Sequence, residues 1–343
     1  MLDGPRGARP DELPQVVTLA DDVFSAEQRS MGPHFPTLFR ASNAEWLRTF
    51  WDGDVAVSHA GFWLGRIRSH GRDLAVAHLG AVCTRPDYRG RGLAGALLAD
   101  ALPRLREAGV GLLLISGDRS LYRRIGARKF GRLLRFRVGR AAAEALASGW
   151  SLDRLGPPAD GAAAAMADLQ AREPVRYHRT AGDWLLLLPA KGYLTAGDGR
   201  GAALVRPAGG GGPAAYLLWG TPRRAADAGP PSVPIDEFAG PRAAVLGGLA
   251  AILEATGCET AVLQAQPGDG DLLEALRRLG VEADEVPHQG TARVVDPRRC
   301  GVAPDGAPLP AWADPGEPDA AAAWTASLAA AWELPRNDGL QYI

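Results

Sequence analysis

Lysine is nearly absent: Lys129 and Lys191 are the only two, and arginine supplies the remaining positive charge. In a chain so rich in Ala, Gly and Pro this bias reflects codon usage and carries no functional message. Cysteine is scarce too. Cys83, Cys258 and Cys300 are odd in number, scattered and without metal-ligand spacing, which argues against a disulfide framework or a metal site and points to a reducing cytosol. Net charge is close to zero at −1, so no global field draws the chain to nucleic acid or to a membrane surface. No apolar run approaches the ~20 residues of a spanning helix, and the opening MLDGPRGARPDELP lacks the apolar stretch of a signal peptide. These absences lead us to expect a cytoplasmic protein with no membrane or nucleic-acid partner. What is present is ordinary: 46% hydrophobic and 22% charged residues over 343 positions, enough for a real core and, by length, for two domains.

Hydrophobic periodicity orders the first half. Leu13, Val16, Val17, Leu19, Ala20, Val23 and Phe24 form a helical stripe over residues 10–24. Ser42-Asn43-Ala44-Glu45 reads as a capping box that starts a short helix ending near Phe50. Asp52-Gly53-Asp54 turns into a strand at Val55–His59, another follows through Phe62 to Arg68, and His70-Gly71-Arg72-Asp73 makes a hairpin turn. The strand Leu74–Cys83 leads through Arg89-Gly90-Arg91-Gly92 into a helix that Gly109 ends. Val110–Ile115 is wholly apolar, as in a strand buried on both faces. Residues 118–128 predict a helix, and Leu133–Val138 a last strand. This is an α/β unit of ordinary domain size.

After a seam at Gly156-Pro157-Pro158 and an alanine-rich helix, the order of elements partly recurs. Trp184–Leu188 is apolar, Tyr193–Arg206 predicts a hairpin around Gly197-Asp198-Gly199, and Ala214–Gly220 a strand. A helix at Ala243–Ala255 is closed by Gly257, Thr260–Ala265 is a strand, and a helix at Asp271–Leu279 is closed by Gly280. The glycine turn does not recur: its place holds Glu237-Phe238-Ala239-Gly240-Pro241-Arg242, where the proline removes an N–H donor. We therefore expect two related domains, 1–145 and 146–300. A tail over 301–343 follows, comprising a linker at 301–319, an Ala/Trp helix and a short end.

A strand that turns through glycines into a helix aims backbone N–H groups and the positive end of a helix dipole at one point, a cradle for pyrophosphate. A dinucleotide-binding turn would read Gly-x-Gly-x-x-Gly at the start of a βαβ unit, with an acid about 20 residues on. Here antiparallel strands precede the turn, so Gly90-x-Gly92-x-x-Gly95 fits that pattern only by coincidence. The stretch Val82–Ala94 instead resembles the acetyl-CoA motif of the GNAT (Gcn5-related) N-acetyltransferases, Arg/Gln-x-x-Gly-x-Gly/Ala, here Arg89, Gly92 and Ala94. Leu121-Tyr122-Arg123-Arg124-Ile125-Gly126-Ala127 is similar to that family's Leu-Tyr-x-x-x-Gly-Phe, with Ala127 in the place of the usual phenylalanine. Two related halves resemble the tandem enzymes of the enhanced-intracellular-survival type, although the residues after Cys300 are too few for that group's sterol-carrier-like domain. The fold class this implies is α/β (α+β in detail): tandem acyl-CoA N-acyltransferase folds, each a mixed, mostly antiparallel sheet flanked by helices.

The resemblance implies direct transfer of an acetyl group from acetyl-CoA to a primary amine, with a small molecule or peptide as acceptor and no metal. Val82, Cys83, Thr84, Arg89, Gly90, Arg91, Gly92, Leu93 and Ala94 would hold the co-substrate. Tyr122 would protonate the departing thiolate. The attacking ammonium, with a pKa near roughly 10, needs a base within reach. The family's C-terminal carboxylate falls on Ile343, and His78, expected on one strand face with Gly80 and Val82, is a second candidate. His59 is a similar one; for both histidines a core role competes. Cys83 is a small core residue or a nucleophile. Ser116 and Asp118 cap the next helix or touch substrate, and Arg119, Arg123, Arg124 and Arg128 form a solvated face or meet the donor's phosphates. A non-catalytic acyl-CoA sensor is the alternative function, and self-association stays open. RNA binding through Arg-Gly-Arg-Gly lacks both a basic excess and interleaved aromatics.

Overall fold

The computed structural model describes residues 1–24, 30–195, 197, 199–223, 230–300, 318–319, 321–322, 325 and 333–335. The chain falls into two compact units. One holds residues 1–131 and resumes at 289; the other holds 132–288.

The first unit runs β1 (Asp3–Gly7), α1 (Leu13–Phe24), α2 (Met31–His34), β2 (Leu47–Asp52), β3 (Val55–Ser69), β4 (Arg72–Thr84), α3 (Leu93–Glu107), β5 (Leu112–Ile115) and α4 (Ser120–Arg124). The second runs β6 (Arg132–Gly139), α5 (Arg140–Leu146), β7 (Trp150–Arg154), α6 (Asp160–Gln170), β8 (Val175–Tyr177), α7 (Ala181–Ala190), β9 (Gly201–Pro207), β10 (Ala215–Trp219), β11 (Ser232–Ala239), α8 (Arg242–Gly247), α9 (Leu249–Thr256), β12 (Thr260–Ala265), α10 (Gly270–Arg278) and β13 (Ala283–Pro287). The chain then returns to the first unit with β14 (Thr291–Val294) and α11 (Pro297–Cys300). No helix among the described residues is long and apolar enough to cross a membrane.

The first sheet has the order β1-β2-β3-β4-β5-β14. All its neighbours pair antiparallel except β4 and β5, which are parallel. Helix α1 buries Val16, Leu19 and Ala20 on one face, against Leu38, Trp51, Ala81 and Cys83. Helix α3 covers the other with Leu97, Leu98, Ala101 and Leu105, against Phe62, Ala77, Leu79 and Ile115. The second sheet, β13-β6-β12-β11-β10-β9-β7, repeats this plan. Its one parallel pair is β11 with β12, and the helices that follow β11 cover one face while α6 and α7 cover the other.

Several sequence expectations change. The strand expected to close the first sheet, Leu133–Val138, lies in the second, between β12 and β13. Its place beside β5 is taken by β14. Strand pairing is non-local, and an apolar strand carries no mark of which sheet it joins. No capping-box helix forms at Ser42: a 3-10 turn (Ala41–Trp46) without a side-chain cap leads into β2, and Glu45 faces Arg48 instead. Burial between β1 and β3 overrides the local signal there. Of the helix expected over 118–128 only α4 forms, and Arg128 instead exchanges backbone hydrogen bonds with Ala292. Residues 193–206 are no hairpin, since β9 pairs with β10; residues 196 and 198 of the expected turn lie outside the described set. Most of the linker and the Ala/Trp helix also lie outside it, with helical residues at 318–319, 321–322 and 325.

Two buried polar groups make the core testable. Arg48, 1% exposed, donates from Nε to Asp100 of α3 at 2.8 Å and from Nη1 to Glu45 at 3.0 Å. Asp100→Ala leaves the exposed Glu45 carboxylate as the counter-charge of that buried guanidinium, and denaturant unfolding is expected to show a loss of about 2 kcal/mol; a loss within error of zero refutes the tie. His59 is fully buried, with Nδ1 3.1 Å from Thr49 Oγ1, and burial pushes its pKa down to about 3. The unfolded imidazole titrates near 6.5, so between these values the unfolded chain holds the extra proton. His59 therefore makes stability fall as the pH drops from about 6.5 toward 3. Between pH 7.5 and pH 5, wild type is expected to lose about 2 kcal/mol more than His59→Gln; equal losses would rule this out.

Candidate active site

β4 runs out of the sheet through a 3-10 turn (Pro86–Tyr88) into Arg89-Gly90-Arg91-Gly92, and α3 starts at Leu93. Gly90 and Gly92 stand at φ +77° and +75°, where a Cβ is strained, and only such a turn points the next N–H groups outward. The first helical bond runs from Ala96 N to the Gly92 carbonyl at 3.1 Å, so the N–H groups of Leu93, Ala94 and Gly95 precede the ladder. A Cβ added at Gly90, Gly92 or Gly95 would meet no atom within 4 Å, so the space before them is clear. Three unladdered donors at the positive end of a 15-residue helix are an anion cradle.

Both arginines of the turn are exposed and tethered by single bonds. Arg89 Nε donates to the Thr84 carbonyl at 3.1 Å, and Arg91 Nη2 to the Asp87 carbonyl at 3.0 Å. The Arg91 guanidinium lies 4.7 Å from the centre of the Tyr88 ring, whose hydroxyl donates to Asp52. That bond raises the Tyr88 pKa and leaves the phenol a donor at neutral pH. The remaining guanidinium N–H groups suit phosphate oxygens.

Beside the cradle the sheet opens. β5 pairs with β4 only over Val76–Leu79 against Leu112–Ile115, while β4 continues to Thr84. The stretch Gly80–Thr84 thus runs on beyond its β5 pairing, as an edge onto which an extended chain can lie. Within it, Ala81 and Val82 together oppose Ala60, a bulge, and Ala81 sits at φ +51°. A bulge frees one residue from the ladder, and a strained non-glycine residue marks a site that the surrounding packing holds in place.

The bulge also corrects the expected face of His78. Ala77, Leu79 and Val82 pack on the α3 side, whereas Ala81 and Cys83 pack on the α1 side. His78, alternating with Ala77 and Leu79, lies on the α1 side with its ring 5.2 Å from Trp63, on the face opposite Val82. It is 2% exposed. His59 is on the α1 side too, its ring 6.1 Å from Phe39. Cys83 is buried, and burial pushes its thiol up to about 12. Ile343 lies outside the described residues.

Tyr122, on α4, is buried in the α3-side cluster that Val82, Tyr88 and Leu93 also pack against. Its ring lies against Gly117, and its carbonyl accepts the Ile125 and Ala127 N–H groups. Gly126 stands at φ +84°, and a Cβ there would collide with the Pro318 carbonyl, so the motif glycine is required. Ala127 is fully buried. Asp118 is not a cap: it pairs with Arg123 at 3.0 Å and Lys129 at 3.6 Å, and α4 has no side-chain cap. Arg119, Arg123 and Arg124 are exposed, and Arg128 donates to the Arg123 and Ala127 carbonyls. Among the described residues no cluster of His, Cys, Asp and Glu side chains has a metal-holding arrangement.

The corresponding place in the second unit is filled from within. Where the first unit has an open glycine turn, Glu173 Oε1 accepts the Gly240 N–H at 2.8 Å, and both its oxygens take Arg242, at 3.0 and 2.7 Å. Asp269 holds the other side of Arg242, with Nε donating at 2.8 Å. Farther back on β11, Glu237 Oε1 accepts from Arg179 and Tyr216, both at 2.7 Å. A carboxylate of the chain thus takes the N–H group just before α8 and ties up the arginine that opens it.

Comparison with known proteins agrees with this geometry. Residues 5–130 match the family model described as the acetyltransferase (GNAT) domain. A search of the curated proteins gave no match. Among solved structures, the chain is similar to a GCN5-related N-acetyltransferase from Anabaena variabilis (15% identity, TM-score 0.64, covering 86% of this chain and 73% of that one). It is also similar to a GCN5-related N-acetyltransferase from Kribbella flavida (19%, TM-score 0.60, 87% and 73%) and to Eis1 from Mycobacterium abscessus (15%, TM-score 0.60, 86% and 74%). At these identities the structures speak for the fold, which is that of the N-acyltransferases. Residues 5–130 are thus identified as a GNAT acetyltransferase domain, which makes the chain an acyl-transferring enzyme.

Proposed function

We propose that the protein transfers an acetyl group from acetyl-CoA directly to a primary amine of a small molecule or peptide, with one co-substrate site per chain. The observation that carries this is the open β4 edge at Gly80–Thr84 leading straight into the clear N-terminus of α3. The edge suits the pantetheine arm, whose amides pair as a strand does. The N–H groups of Leu93–Gly95 suit the pyrophosphate, and Arg89 and Arg91 add charge at its rim.

The amine nitrogen attacks the thioester carbonyl, the C–N bond forms and the C–S bond breaks. The thiolate leaves with the proton of the Tyr122 phenol, and the proton released by the new amide nitrogen restores the phenol through solvent. No acyl-enzyme is needed. With its thiol pKa near 12, Cys83 is a thiolate in only about one molecule in ten thousand at pH 8. The base that prepares the amine is assigned to no described residue.

Calorimetry with acetyl-CoA is expected to give one site per chain, since in the second unit Glu173 takes the Gly240 N–H and locks Arg242; absence of binding at high micromolar concentration would sink the reading. Tyr122→Phe is expected to lower kcat about 100-fold with acetyl-CoA affinity unchanged, the low end of what a general acid supplies. Thiol release against a polyamine, an aminoglycoside, an amino acid and a peptide measures this, and an undiminished rate removes the acid. Cys83→Ala is expected to keep the wild-type rate, and iodoacetamide at pH 8 to leave the native enzyme active. Inactivation that the alanine variant escapes would reverse that assignment.

A further inference from the structure

The segment that carries Tyr122 is bonded before it, at Gly117, and after it, at Ile125, by one strand far downstream in the chain. β14 pairs antiparallel with β5, Thr291 opposite Ile115 and Val294 opposite Leu112. Thr291 is fully buried, and its hydroxyl donates to the Gly117 carbonyl at 2.9 Å. Gly117 is a wall of the tyrosine's pocket: a Cβ there would stand 3.2 Å from Tyr122 Cε2. Ala292 exchanges both backbone hydrogen bonds with Arg128, each 2.9 Å. Arg293, 2% exposed, donates from Nε to the Ile125 carbonyl and from Nη1 to the Val294 carbonyl at 3.2 Å. Ile125 N in turn donates to the Tyr122 carbonyl at 3.2 Å. Thr291 and Arg293 share one face of the strand by its period of two, so alternate residues reach the ring side and the backbone side of one tyrosine.

From this juxtaposition we infer that Thr291 and Arg293 are positioning residues of the acyl-transfer site, which set the place of the Tyr122 phenol without touching substrate. The inference rests on the reading of Tyr122 as the general acid. An acid works only within hydrogen-bond reach of the departing atom, and a displacement of about 1 Å costs up to 100-fold in rate. Removing the Thr291 hydroxyl leaves the Gly117 carbonyl without its donor and lets that wall relax. The guanidinium of Arg293 serves two carbonyls through a planar fork that a lysine ammonium does not reproduce. The strand is anchored at its other end, where Val294 N donates to Thr325 Oγ1 at 2.9 Å.

The test uses the full chain as Thr291→Val, Thr291→Ser and Arg293→Lys, each alone and on Tyr122→Phe. Thiol release from acetyl-CoA is measured with the most active amine of the panel above, and acetyl-CoA affinity by calorimetry. Thr291→Val and Arg293→Lys are expected to lower kcat roughly 10-fold with the acetyl-CoA Kd unchanged, because the cradle is built on α3. Thr291→Ser, which keeps the hydroxyl, is expected to restore the rate. On Tyr122→Phe, Thr291→Val is expected to cost less than about twofold more, the non-additivity of residues acting through one group. Wild-type kcat in both β14 variants while Tyr122→Phe is slow overturns the inference alone, as does full additivity. Loss of acetyl-CoA binding in both variants assigns them a general structural role and overturns it too. A wild-type rate in Tyr122→Phe removes the acid itself, and the inference with it, without any change to β14.

Discussion

Parallel pairing of β4 with β5 holds from Val76 to Leu79 and then ends, and the two strands part while β4 runs on for five more residues. The whole site follows from that parting. It leaves backbone donors and acceptors of Gly80–Thr84 along an edge, in the crevice beyond the carboxyl end of the short strand, where open α/β sheets take their ligands. The bulge at Ala81 sits in that crevice and turns Val82 toward α3. The same strand then delivers the chain to Gly90 and Gly92, so the edge and the anion cradle are one continuous stretch of backbone. A side chain on the far face, such as His78 beside Trp63, belongs to the core however near it stands in sequence.

The second unit shows what the frame alone does not supply. Its β11 and β12 are the one parallel pair of their sheet, and a helix follows β11 as α3 follows β4. Yet Pro241 replaces a donor, Glu173 takes the Gly240 N–H, and Arg242 is locked between two carboxylates. Charge-assisted bonds of this geometry are about twice as strong as neutral ones, and a ligand phosphate would have to displace them. In the first frame the glycine turn before the helix is clear.

Much of this was legible in sequence. The stripe of α1, the hairpin at His70-Gly71, the glycine turn into α3 and the apolar run of β5 are local signals, written in spacing and in φ-permissive residues. The recurrence of elements after Pro158 was legible for the same reason. The capping box at Ser42 was a false signal, because burial of β2 between two strands outweighs the local preference of residues 42–45. The face of His78 was misread because strict alternation fails at a bulge, and Ala81 has no glycine to announce one.

The sequence by itself determined the cradle, the α/β class, the repeated plan and the presence of a tyrosine in a Leu-Tyr-x-x-x-Gly setting. Those features depend on residues near one another along the chain. The tertiary structure decided which strands complete each sheet, with β6 going to the second and β14 returning to the first. It also decided that Thr291 bonds the Gly117 carbonyl, that Arg293 bonds the Ile125 carbonyl, and that Glu173 takes the Gly240 N–H. Strand pairing and buried carboxylate–donor contacts join residues tens to hundreds of positions apart. Their energy comes from the partner's place in space, which no local spacing records.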